Sequence, residues 1–125
     1  MPLPLAVALA ASPSIAQIKW ERRVLIVSAP TAADPALAEQ RRILAGWKTS
    51  AAARDLTIVE VVGDQVRGAS DPAASLRRKY RLPAAFTAIL IGKDGGEKLR
   101  SAKPFPAAGL EETIDAMPMR RAGQR

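Results

Sequence analysis

The sequence predicts an α/β domain: a three-layer α/β/α sandwich of order β-α-β-α-β-β-α, built on a four-strand mixed sheet. Three observations carry this reading. Short apolar runs at Val24–Val27 (VLIV), Leu56–Val62 (LTIVEVV) and Phe86–Ile91 (FTAILI) read as strands, the first and third as strands buried on both faces. Asp34-Pro35 and Asp71-Pro72 each pair a helix-capping side chain with a proline suited to the first helical position. Gly92-Lys93-Asp94-Gly95-Gly96 is the chemistry of a tight turn between neighbouring strands.

In chain order, the first charged side chain is Lys19, and an apolar run spans Leu3 to Ala11 ahead of small residues at Ser14 and Ala16. Residues 1–16 therefore read as a secretory signal cleaved near Ala16, too short to anchor in a bilayer, with residues 17–125 as one domain. This predicts a periplasmic or secreted protein. No Lys or Arg precedes the run, and the alternative is an N-terminal segment of the domain, which Pro2, Pro4 and Pro13 suit poorly. Val24–Val27 comes next as a central strand. The helix opened by Asp34 carries Leu37, Leu44 and Trp47 inward and Glu39, Arg41, Arg42 and Lys48 outward.

The strand Leu56–Val62 is closed by Gly63-Asp64, and residues 65–70 read as loop. Asp71 caps a second helix with Ala73, Leu76 and Tyr80 on one face, and Pro83 requires it to end earlier. Phe86–Ile91 is the third strand and Glu97–Arg100 its hairpin partner. Ala107, Leu110, Ile114 and Met117 then mark an amphipathic helix ended by Pro118, with a basic, frayed tail from Met119 to Arg125. The first two βα units require right-handed crossovers and parallel strands, and the hairpin adds antiparallel partners. This order is the thioredoxin-like architecture.

Two motifs, GKDGGEKLR at Gly92–Arg100 and IDAMPMRR at Ile114–Arg121, combine with an early W-x-R-R-x-L-I-V (Trp20–Val27) and with Gln40. Together they resemble a bacterial exported family of unknown function, domain of unknown function 4174, whose eukaryotic relatives are domains of extracellular sushi-repeat proteins. The resemblance implies a thioredoxin-like fold and an exported location, and brings no known reaction. In thioredoxins a Cys-x-x-Cys sits between the first strand and its helix, where the helix terminus lowers a thiol pKa. Here Ser28-Ala29-Pro30-Thr31-Ala32 occupies that place, and Phe86 stands where thioredoxins carry a cis proline, with Pro83 three residues too early. Ser28 and Thr31 have no base to activate them.

With no cysteine and no histidine, the chain has no thiol redox chemistry, disulfide, zinc finger or imidazole catalysis. Nineteen basic against twelve acidic residues give a net charge of +7. Much of it lies in Arg77-Arg78-Lys79-Tyr80-Arg81 and in Arg120, Arg121 and Arg125. Such a field suits an acidic protein, an anionic envelope component or a small anion, although a charge run is most often a solvated helix face. An aromatic content of 4% argues against nucleic acid.

The richest local signal is the turn. Glycine-freed N–H groups beside Lys93, Lys98 and Arg100 can meet an anion, while Asp-Gly and Gly-Gly are also simply what a hairpin demands. Asp115 shares a face with Glu111 on the last helix, where bonding to backbone groups or to Arg120 and Arg121 is preferred over catalysis. Trp20 and Trp47 read as core or rim packing. The reading that results is a non-catalytic binding module without cofactor or metal. Its candidate ligand-binding patch is Lys93, Asp94, Gly95, Gly96, Lys98, Arg100, Asp115 and Arg120, expected where the hairpin and last helix meet. The rival is a carboxylate-dependent enzyme of hydrolase type, assisted by a divalent metal, with Asp94 or Asp115 as acid or base. A third reading is a structural domain that only associates with itself or with a larger envelope assembly.

Overall fold

A computed structural model describes residues 12–121; the apolar run Leu3–Ala11 and the tail beyond Arg121 lie outside the described residues. Among the described residues the sheet has five strands, in the spatial order β3 (Gln65–Arg67), β2 (Leu56–Val62), β1 (Arg23–Ala29), β4 (Thr87–Ile91) and β5 (Glu97–Ser101). β1 (Arg23–Ala29) is its central strand, buried along its whole length. It runs parallel to β2 (Leu56–Val62) on one side and antiparallel to β4 (Thr87–Ile91) on the other.

Strand alternation divides the core into two. Leu25 and Val27 face a cluster with Leu37, Trp47, Leu110 and Ile114, supplied by α1 (Pro35–Ala45), the segment just after it and α4 (Ala107–Asp115). Val24 and Ile26 face Leu76 and Tyr80 of α3 (Ala73–Tyr80), joined by Ile15 and Ile18. Helices thus cover both faces, giving the three expected layers.

Gln40, wholly buried on α1, pins this packing. Its amide accepts from the Phe105 N–H at 2.7 Å and donates to the Phe105 carbonyl at 3.1 Å. Both polar ends are thereby satisfied inside the core, ahead of α4.

Several expectations need correction. The sheet has five strands, since Gln65–Arg67, expected as loop, forms an edge strand (β3) with Val62 paired to Gln65 across Gly63-Asp64. Its single half-buried residue, Val66, gave too little alternation to betray it. Gly68 (φ +91°) lets the chain leave β3 close to β2, where an added Cβ meets the Ile58 carbonyl oxygen at 2.3 Å. β4 is antiparallel, since β3 has already turned the chain back before α3. The first helix stops at Gly46, and Lys48–Ala53 is a separate short helix, α2.

Asp34 caps α1, accepting from the Ala36 N–H at 2.8 Å, but Asp71 does not cap α3. Its carboxylate accepts instead from the Ile15 N–H at 2.9 Å, tying the N-terminal segment to the domain. β5 (Glu97–Ser101) completes the predicted hairpin. Pro118 ends α4 and then opens a further short helix, α5 (Pro118–Arg121), so the first part of the expected frayed tail is helical.

Candidate functional site

The site lies at the end of the sheet where β1 and β2 begin and β4 ends. The turn after β4 closes with Gly92 N–H to the Gly96 carbonyl at 2.9 Å and Gly95 N–H to the Gly92 carbonyl at 3.0 Å. Asp94 organises it, accepting from the Gly96 N–H at 2.9 Å and from Lys98 Nζ at 2.8 Å. The Lys98 ammonium, followed by that N–H, holds the Asp94 carboxyl below its ordinary range.

Gly95 (φ +84°) leaves room for the Lys19 stem, which an added Cβ would approach to 3.3 Å. Trp20 follows Lys19 in a left-handed conformation (φ +74°) and donates its N–H to the Lys93 carbonyl. The residue is 61% exposed, with the Lys19 ammonium 5.7 Å from its ring centroid. The segment before β1 is therefore fastened across the hairpin turn, and it displays an aromatic ring there.

Behind the turn, charges are buried. Lys93 turns inward to pair with Asp55 at 2.9 Å, side chains 7% and 19% exposed. Asp55 occupies the left-handed region (φ +52°), which Asp tolerates, between α2 and β2. Arg23, only 1% exposed at the start of β1, donates to the Arg54 carbonyl at 2.7 Å and toward Met117 Sδ at 3.3 Å. Burial above all, and Arg120 next, lower its pKa. Arg54 grips Asp115 in a bidentate pair (3.1 and 3.0 Å) with its guanidinium 6.0 Å from the Trp47 ring centroid. Arg120 adds a bond to the same carboxylate at 3.3 Å, and Arg54, then Arg120, hold Asp115 below its ordinary pKa.

Between the hairpin turn and the C-terminal helices lies a pocket of about 420 Å³. Lys93, Asp94 and Lys98 line one side, Met117, Pro118 and Met119 the other, with Trp20 and Arg23 also on its wall. The hairpin and last helix therefore do meet, and three of the expected patch residues share the pocket. Gly95 and Gly96 shape its turn, and Asp115 and Arg120 belong to the ion network behind it. Arg100 is not brought there. It pairs with Glu97 and donates to the Tyr80 and Arg81 carbonyls, closing the C-terminal end of α3 beside a separate cleft.

Sequence reasoning missed Arg23, Arg54 and Asp55, and treated Trp20 only as packing. The available signal was Arg22-Arg23 abutting a wholly apolar strand, where an arginine drawn inward needs partners. Chemically, the arrangement can bind. Asp94 and Asp115, each held ionised by cations, are poorly placed to donate protons. Among the described residues no group of three or more acidic side chains could hold a metal ion.

At the opposite end of the sheet, Ser28 is buried within β1, residues 30–33 form a mostly exposed turn, and Asp34 already occupies an N–H group of the first turn of α1. No cis peptide bond occurs among the described residues.

Residues 14–123 match the model of a domain of unknown function, DUF4174. Sushi repeat-containing protein SRPX of Rattus norvegicus is 31% identical over 115 residues, which cover 84% of this chain. The chain spans about a quarter of that relative's length (25%). Trxlp from Edwardsiella tarda EIB202 superposes with a TM-score of 0.59 at 24% identity, covering 83% of this chain and 96% of that one. A thioredoxin from Thermus thermophilus gives 0.53 at 24% identity, covering 99% and 90%. The fold is thioredoxin-like, on a chain without cysteine.

Proposed function

This chain belongs to the DUF4174 family, and on that premise we propose that it is an exported, non-catalytic binding module whose site is the pocket between the hairpin turn and the C-terminal helices. The observation that carries the proposal is Trp20: a large ring left exposed, in a backbone conformation unfavourable for it, at the wall of that pocket. Lys93, Asp94, Gly95, Gly96 and Lys98 form the binding edge, with Asp115 and Arg120 supporting it. The partner class is anionic: an acidic protein, an envelope component or a small anion. The carboxylate-enzyme reading lacks comparable support, since Asp94 and Asp115 sit in separate ion pairs.

Export rests on the apolar run Leu3–Ala11, with cleavage near Ala16 part of the same proposal. Ile15 is buried and bonded to Asp71, so N-terminal sequencing of the exported form determines whether the mature chain keeps that contact. To test the site, the immobilised chain and a Trp20→Ala/Lys98→Glu variant are compared for components retained from an envelope extract. The expected result is a retained component that the variant loses while it remains folded by circular dichroism. Identical retention by both would overturn the proposal.

A further inference from the structure

We infer that the pocket takes a single-headed amphiphilic anion, its apolar body lying among Trp20, Met117 and Met119 and its anionic group meeting Arg23. This rests on the binding-site reading above and adds the chemistry of the ligand. Two independent features carry it.

The first is Arg23. It is almost wholly buried and lines the pocket, yet no carboxylate oxygen lies within 4.0 Å of its guanidinium among the described residues. Its bonds go to the Arg54 carbonyl and to the Met117 thioether, a weak acceptor. The nearby carboxylates are engaged elsewhere: Asp55 by Lys93, and Asp115 by Arg54 and Arg120. Asp55 and Asp115 therefore act on the buried guanidinium only from beyond contact distance, which is costly, and an incoming carboxylate offers it direct charge-assisted bonds.

The second feature is the rest of the wall. Trp20, Met117, Pro118 and Met119 present apolar surface, and methionines adapt their shape to what they cover. The volume of about 420 Å³ falls within the range of small-molecule sites. Asp94, ionised at the rim, disfavours a ligand carrying several negative charges, and the apolar wall gives a bare inorganic anion little to bury against. One charge on an apolar body fits both surfaces.

The test titrates the full chain calorimetrically with sodium decanoate, with naphthoate in a parallel arm to separate alkyl from aryl bodies, and with decylammonium as the charge-reversed control. Saturable 1:1 binding of either acid, without binding of decylammonium, is expected. Arg23→Gln should weaken the acid by about tenfold or more. Trp20→Gly should also weaken it while Tm holds or rises, because glycine accepts the left-handed backbone freely. If Arg23→Gln fails to fold, the acid–ammonium contrast and Trp20→Gly decide. Absence of binding by both acids, equal binding of decylammonium, or acid binding unchanged by Trp20→Gly would overturn the inference. Trp20-dependent retention from extract alongside silent acids would remove the amphiphile and leave the binding site standing.

Discussion

The two ends of the central sheet are built in opposite ways. Where β1 ends, the position at which thioredoxins carry their cysteines, the chain has Ser28-Ala29-Pro30-Thr31 and a helix start closed by its own Asp34. Where β1 begins, it has concentrated Arg23, Arg54, Asp55, Lys93 and Asp115 around a pocket with an exposed tryptophan. At the first end, the Asp34 cap is a local bond between near neighbours in the chain. At the second, buried charge and a left-handed tryptophan are held in place by the packing of the fold, the features on which the proposed site rests. The thioredoxin-like fold is kept here on a chain without cysteine, so the core does not require a thiol pair where β1 ends.

The largest difference between the ends is expected at Asp55. Asp55→Asn keeps a residue that accepts the left-handed backbone but strips Lys93 of its counter-charge, and should cost about 3 kcal/mol in chemical denaturation. Asp34→Ala, at the other end, removes one helix cap and should cost only about 1 kcal/mol by the same measurement.

Acid acts on the charged end in particular. Asp94 and Asp115 have pKa values lowered by folding, so the stability they contribute is complete above the ordinary carboxylate range near pH 4. That stability is lost as pH falls through their lower folded values. A Tm series from about pH 6 down to about pH 2 should decline at the acid end, and more shallowly in Asp115→Asn. Both carboxylates are partly solvated, so each contribution is modest. The smallest effect is expected for Thr31→Ala, within about 0.5 kcal/mol and without change in ligand retention.

Much of the fold was legible because burial on both faces writes itself as uninterrupted apolar runs; β1 and β4 came from this signal alone. Asp34-Pro35 located α1 because a cap is a local requirement of the chain. β3 was illegible, since a polar edge strand carries no periodicity, and so was the antiparallel sense of β4, which comes from that extra reversal. In the site, GKDGG announced a turn because φ > 0 at Gly95 is likewise set locally. Arg23, Arg54 and Asp55 were hidden because their partners lie on other elements, 94 residues away in the case of Arg23 and Met117. Arg100 was misplaced because a charge beside a glycine-rich turn does not reveal which face of β5 it occupies. Its bonds to the Tyr80 and Arg81 carbonyls belong to α3.

Which end of the sheet works can be read by placing a photo-cross-linking benzophenone side chain at position 116, an exposed alanine on the pocket wall, or at position 31, where the redox site would be, and irradiating living cells. A defined adduct from position 116 and none from position 31 is the predicted result. An adduct from position 31 alone would show that the thioredoxin end still works and would contradict the assignment of the site to the start of β1.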